Sequence, residues 1–102
     1  MIRYRVAATV KEVKGNCPIY RSGDKIVFED FYAKSSESRD ICIHALAGAS
    51  TLLSALLHGT SAEDLGIGVE PDRGYVQCPD PGPPYTKGGK VVFELKRQII
   101  QG

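Results

Sequence analysis

The 102-residue sequence has no tryptophan, one methionine and only three cysteines. An odd number of cysteines excludes a framework in which every cysteine is paired within the chain. The sequence also lacks an apolar run near the roughly 20 residues that a membrane-spanning helix needs. Its first residues interleave charges with apolar side chains and do not form the uninterrupted apolar stretch of a signal peptide. We therefore expect a cytoplasmic protein without a membrane partner.

A large excess of charge of either sign is also missing. Lysine and arginine number 13 and aspartate and glutamate 12, for a formal net charge of +1. This balance gives no strong field toward a polyanion, so we expect no nucleic-acid partner. The hydrophobic fraction of 42% and the charged fraction of 25% are ordinary for a globular protein. The length predicts a single domain covering residues 1–102.

Several short motifs of enzyme chemistry are absent as well. The sequence has no G-x-S-x-G nucleophile elbow, no phosphate-binding P-loop and no H-E-x-x-H zinc motif. The acidic residues at 63–64 and at 70 and 72 are interpreted as solvated loop charge. The sequence therefore names no reaction and leaves open whether the protein is an enzyme.

Hydrophobic periodicity predicts strands in both halves of the chain. Apolar residues alternate from Ile2 to Val10, which predicts a half-buried strand. The register breaks near Lys11-Glu12, where we expect either a β-bulge or the end of the strand. β-Branched and aromatic residues predict shorter strands elsewhere. The predicted strands cover residues 2–10, 25–31, 74–78 and 89–95, the last running on toward residue 100.

One long helix is predicted between Asp40 and His58, where leucine and alanine recur at spacings of three and four. Ser38 or Asp40 is expected to cap its start, and Gly59 suits a left-handed end. The element order predicts an α+β fold, a small, mostly antiparallel, barrel-like sheet with one main helix. Because one helix leaves apolar surface and open sheet edges, we also expect a homo-oligomer.

The three cysteines are far apart along the chain, but each is predicted to lie in a loop or at the end of an element. Cys17 and Cys78 both precede proline, which stiffens the backbone and suits a preorganised metal ligand. Cys42 falls in the predicted first turn of the helix, where the dipole favours a thiolate. The alternative is that each cysteine is a small buried apolar residue.

Three converging thiolates suit a [4Fe–4S] cluster with an open iron, or zinc with a different fourth ligand. The candidate fourth ligands are His44, Asp80 and Asp24, although both aspartates are also typical of turns. Residues two apart on a helix do not face each other, so His44 could join Cys42 only if Cys42 is still extended. We therefore predict a small metal- or iron–sulfur-binding protein of unknown reaction.

Two other classes of function stay open. The proline-rich loop at residues 79–89, with Tyr85 and Thr86, could recognise a ligand or serve as a rigid crossover. Together with the helix, it could form the partner surface of a metal-free binding or assembly module. A thiol redox protein that uses Cys42 would need a second cysteine within disulfide reach.

Four segments of the chain form a recognisable pattern: Gly15-Asn-Cys17, Gly23-Asp24 before a strand, Cys42 at a helix start, and Gly74-Tyr-Val-Gln-Cys78-Pro-Asp-Pro-Gly82. With this pattern the chain resembles a family of short cysteine-containing proteins, without an established activity, that occur mainly in anaerobic bacteria and archaea. The resemblance covers nearly the whole chain. It implies no reaction, although an anaerobic setting favours an oxygen-sensitive cluster over a bare redox thiol.

Overall fold

The computed structural model describes residues 2–102, which contain one α-helix and a five-stranded sheet. In chain order the elements are β1 (Arg3–Lys14), β2 (Lys25–Glu29), β3 (Tyr32–Ala33), a 3-10 turn (Ser35–Glu37), α1 (Ile43–Leu57), β4 (Arg73–Gln77) and β5 (Lys90–Gln101). Neighbouring strands are antiparallel and lie in the order β3-β2-β1-β5-β4. The α+β class predicted from the sequence is confirmed.

The barrel-like closure expected from the sequence is wrong, because the sheet is open. Its edges are β3, with two residues, and β4, with five. Closing a barrel requires the edge strands to pair along a continuous ladder, and strands this short at opposite edges offer none. α1 instead covers one face of the sheet, where it contacts β1 and β4.

The two longest strands, β1 and β5, pair along most of their 12 residues each. Their register shifts between Val10 and Glu12, so the β-bulge is the correct one of the two alternatives expected near Lys11-Glu12. The strand does not end there, because β1 continues to Lys14. The extra residue reverses the alternation of side chains. Val13 consequently lies opposite Val91 and packs against the core.

The core lies between α1 and one face of the sheet. The strand residues that face α1 alternate along β1, β2 and β5, as period two requires. On the helix, buried residues recur at spacings of three and four, which confirms the apolar stripe read from the sequence. The core consists of Val6, Ala8, Val10, Tyr20, Ile26, Phe28, Ala45, Ala49, Leu53, Leu56, Leu57, Ala62, Val91, Phe93 and Leu95.

The opposite face of the sheet is charged. Buried Glu29 lies 3.8 Å from Arg5 and 3.5 Å from Lys34, and both cations also pair with Glu37. The main cause that lowers the pKa of Glu37 is the hydrogen bond from Arg5. This network joins the 3-10 turn to the sheet, on the face away from the core.

The helix begins later than predicted. Its N-cap is Cys42, which is extended (φ −70°, ψ 126°) and makes no capping bond with its side chain. Capping by Ser38 or Asp40 was therefore a wrong prediction: the Ser38 hydroxyl accepts from the Val27 N–H and donates to the Lys34 carbonyl. At the other end Gly59 has a φ of +110°, as predicted. Within residues 2–102 no helix has the length and apolar character needed to cross a membrane.

Arg97 of β5 closes the C-terminal end of α1. Its Nη1 donates to the carbonyls of Leu56 (2.8 Å) and Thr60 (2.9 Å), and its Nε donates to Asp72 (2.9 Å). The guanidinium also lies 4.4 Å from the centre of the Tyr4 ring. Only 6% of the Arg97 side chain is exposed. A buried cation thus satisfies carbonyls that the end of a helix leaves unpaired.

Candidate functional site

Three cysteines from separate elements gather at one end of the molecule. Cys17 lies in the loop after β1, Cys42 is the N-cap of α1, and Cys78 directly follows β4. All three are free, partly buried and packed against the core. Burial raises the pKa of Cys78, and the neighbouring charges of Cys42 and Cys17 raise it further. We call the group Cys17, Cys42 and Cys78 the three-thiol end.

Tyr20 links two of these cysteines. Its backbone N–H donates to the sulfur of Cys17 (3.4 Å), and its hydroxyl accepts from the backbone N–H of Cys42 (2.7 Å). The ring packs edge-on against Phe93 with centroids 5.4 Å apart. Burial is the main cause that raises the pKa of Tyr20. The sequence reading missed this residue, although its position three residues after Cys17 was a usable signal.

Replacing Tyr20 by phenylalanine tests this link. The backbone N–H of Cys42 would lose its acceptor in a partly buried place, and we expect the free energy of unfolding to fall by about 1 kcal/mol. Urea unfolding measures the loss. Tyr85→Phe is the matched control, because Tyr85 is 82% exposed and should tolerate the change. Equal stability of the two variants would mean that water replaces the Tyr20 hydroxyl.

The loops that carry the cysteines approach each other through glycines. Gly89 has a φ of +130°, and a Cβ there would collide with the carbonyl oxygen of Asn16, next to Cys17. On the other side of the site, a Cβ at Gly48 of α1 would lie only 3.0 Å from the ring of Pro79, next to Cys78. The contact at Gly89 requires a residue without a side chain, and the one at Gly48 leaves little room for a Cβ. They bring the loop around Gly89 against the Cys17 loop, and α1 against the residue that follows Cys78.

Two candidate fourth ligands, His44 and Asp80, are near each other. Hydrogen bonds from the Thr86 hydroxyl and the Gly82 N–H are the main causes that lower the pKa of Asp80, and the charge of His44 contributes. The Asp80 carboxylate thus already accepts two hydrogen bonds within the proline-rich loop, one of them from Thr86. Thr86 therefore stabilises the loop through Asp80. His44, in the first turn of α1, is exposed. Of the two, His44 has the freer side chain.

The remaining candidates have different surroundings. Asp24 accepts from the backbone N–H of Arg21 (2.8 Å) and lies 3.8 Å from Arg39. It therefore stabilises the turn before β2, in line with the turn interpretation. Tyr85 lies in the turn of the proline-rich loop, where its N–H donates to the Gly82 carbonyl (3.0 Å). Its ring remains available to a ligand or a partner.

The three thiols are suitable ligands for a thiophilic metal, but their positions in this structure do not form a metal site. Among residues 2–102, no three His, Cys, Asp or Glu side chains are close enough to hold an ion without moving. Thiolates suit zinc and iron–sulfur clusters. Hydrogen bonds to the sulfurs are also found at iron–sulfur sites, and the Cys17 sulfur accepts one from the Tyr20 N–H. Binding a metal through all three sulfurs would require them to move closer together.

Fold and site define an α+β protein with an open antiparallel sheet, one covering helix and a cluster of thiols at one end. Comparison of the chain with protein-family models, with curated proteins and with solved structures found no match. The family resemblance of the cysteine segments consequently stays a prediction.

Proposed function

We propose that the protein binds a thiolate-ligated metal centre, an iron–sulfur cluster or a zinc ion, through Cys17, Cys42 and Cys78. The observation that carries the proposal is that three free thiols from separate elements lie within electrostatic reach of one another. A cysteine that only fills space in a core gains nothing from neighbouring thiols. A metal ligand requires such neighbours.

The electrostatics of the metal-free site support this proposal. Ionising one thiol makes ionisation of the next less favourable, which contributes to the raised pKa of Cys78. A bound cation removes that penalty, because it neutralises the thiolates. Binding must then release protons, so the affinity for metal rises with pH.

The fourth position is proposed for His44 or for an external ligand. Cys42 is extended rather than helical, which removes the geometric objection to its sharing an ion with His44. Asp80 is the weaker candidate, since its carboxylate already accepts two hydrogen bonds. An exchangeable fourth ligand would leave one coordination site open to a small molecule.

The test is the metal and acid-labile sulfide content of protein purified without oxygen. We expect bound iron with sulfide, or zinc, in the wild type, and its loss in each of the Cys17→Ser, Cys42→Ser and Cys78→Ser variants. His44→Ala should weaken binding, whereas His58→Ala, at the opposite end of α1, should not. Three titratable thiols without metal, even after addition of iron and sulfide or of zinc, would overturn the proposal.

A metal-free interaction module is the second candidate, favoured by one observation. Gly48 of the helix lies against Pro79 of the proline-rich loop, and Ile43 and Tyr85 on these two elements are 76% and 82% exposed. Homo-oligomerisation through such a surface or through the edges β3 and β4 is proposed with it. Sedimentation of the metal-free protein measures the oligomeric state.

A separate test addresses the thiol redox alternative. A redox role predicts one intrachain disulfide after mild oxidation of the metal-free protein, involving Cys42 and one of the other two cysteines. Such a bond requires Cα atoms about 4.4 to 6.8 Å apart. Peptide mapping identifies the pair.

A further inference from the structure

A cleft of about 560 Å³ opens beside Cys17. One wall is the loop that follows β1, and Arg39, from the segment that leads into α1, contributes to the other. Polar and charged groups line the cleft together with the thiol. They include Asn16, Cys17, Tyr20, Arg21, Ser22 and Arg39.

The two arginines are fixed by their backbones, while their side chains extend into solvent. The N–H of Arg21 donates to Asp24, and the N–H of Arg39 donates to the Lys25 carbonyl (2.9 Å). Both residues are exposed. Within residues 2–102 the Arg21 side chain forms no salt bridge, and the Arg39 guanidinium lies 3.8 Å from Asp24.

Other arginines of the chain are more tightly paired. Arg3 lies 2.6 Å from Asp30, and Arg97 lies 2.9 Å from Asp72. Two carboxylates, Asp24 and Asp40, are near the cleft but do not line it. Among the described residues, Arg21 therefore keeps an unpaired guanidinium, and Arg39 has only the longer contact with Asp24. Both present the planar donor geometry that matches a carboxylate or a phosphate.

We propose that this cleft binds a small molecule through a carboxylate or phosphate group, which Arg21 and Arg39 hold beside the sulfur of Cys17. The guanidinium groups donate to the anion, and the rest of the molecule lies along the loop toward the thiol. A role for this molecule as the external ligand of a metal rests on the proposed function. The binding itself is a property of the metal-free protein.

Alkylation of Cys17 in the reduced, metal-free protein tests the cleft. The thiolate sulfur displaces iodide from either iodoacetate, which is anionic, or iodoacetamide, which is neutral. Peptide mapping gives the rate at Cys17 with each reagent. We expect the ratio of the iodoacetate rate to the iodoacetamide rate to exceed that of free cysteine by about two- to fivefold. A change in thiol pKa affects both reagents equally and cancels in the ratio.

The variants Arg21→Gln and Arg39→Gln should return the ratio to the value for free cysteine. Lys96→Gln removes a charge from the exposed outer side of β5 and should leave the ratio unchanged. Thermal unfolding verifies that each variant is folded. A wild-type ratio equal to that of free cysteine, or one insensitive to both arginine variants, overturns the proposal.

Competition distinguishes the two anionic groups. Inorganic phosphate and acetate are added separately to the iodoacetamide reaction, and each should slow alkylation of Cys17 if its group fits the cleft. Protection by phosphate alone assigns a phosphate ligand, and protection by acetate alone assigns a carboxylate. Protection by neither contradicts the proposal. Because no metal is present, these results are independent of whether the three-thiol end binds one.

Discussion

Replacing Arg97 by methionine is expected to lower the free energy of unfolding by about 3 kcal/mol, since each buried acceptor that loses its donor costs roughly 1–3 kcal/mol. The Thr60 carbonyl would lose its side-chain donor at the end of α1, and the Leu56 carbonyl would keep the longer bond from the Gly59 N–H (3.4 Å). Methionine fills similar space, so the loss reports on the hydrogen bonds and not on a cavity. Equilibrium urea unfolding, monitored by circular dichroism, measures it.

Two control variants separate the carbonyl contacts from the ion pair. Asp72 is 59% exposed, and Asp72→Asn should cost less than about 1 kcal/mol, as for other solvated ion pairs. Arg73→Met removes a guanidinium that is 42% exposed on the charged face of the sheet and should also have a small effect. If Asp72→Asn lowered the free energy of unfolding as much as Arg97→Met does, the stabilising contact of Arg97 would be the ion pair and not the carbonyls at the end of α1.

The role of Arg97 was visible in the sequence but was not used. Val91, Phe93, Leu95 and Arg97 follow one another at a spacing of two, which places the arginine on the core face of β5. A charged residue at a core position predicts a buried polar partner. What the sequence could not provide was the partner itself, because the carbonyls of α1 reach Arg97 only after the helix has packed on the sheet.

The same distinction between local and long-range information runs through the fold. The bulge near Lys11-Glu12 was predictable, because a change in alternation is a local signal. The helix start was not, because the Ser38 hydroxyl bonds with the Val27 N–H on a neighbouring strand and not with the helix. The closure of the sheet was likewise beyond local patterns. Whether two edges meet depends on the lengths and positions of strands that are distant in sequence.

At the candidate site, the sequence identified the cysteines but not the elements that bring them together. Proline after Cys17 and Cys78 indicated stiff loops, and both residues do lie outside the strands. Their approach to Cys42 depends on Tyr20 and on glycines whose partners lie across the fold. A glycine in a loop is ordinarily read as a turn former, and close approach of two backbones has no local signature.

Gly89→Ala is the second substitution with a large expected effect, because it acts on stability and on the site together. A residue with a side chain is strained at the φ of Gly89, at a cost of about 1–2 kcal/mol, and its Cβ would collide with the Asn16 carbonyl. We expect a total loss of at least about 2 kcal/mol in unfolding free energy. The collision would also displace the backbone next to Cys17, so metal uptake should fall.

Gly82→Ala is the control for strain alone. Gly82 lies in the same loop with a φ of +79°, and a Cβ there would meet nothing within 4 Å. We expect it to lose about 1 kcal/mol and to keep its metal content. If Gly89→Ala lost stability but bound metal as the wild type does, the contact with Asn16 would serve folding only. Loss of both stability and metal, with Gly82→Ala retaining both, would mean that the close approach of the two backbones positions Cys17 for the proposed metal.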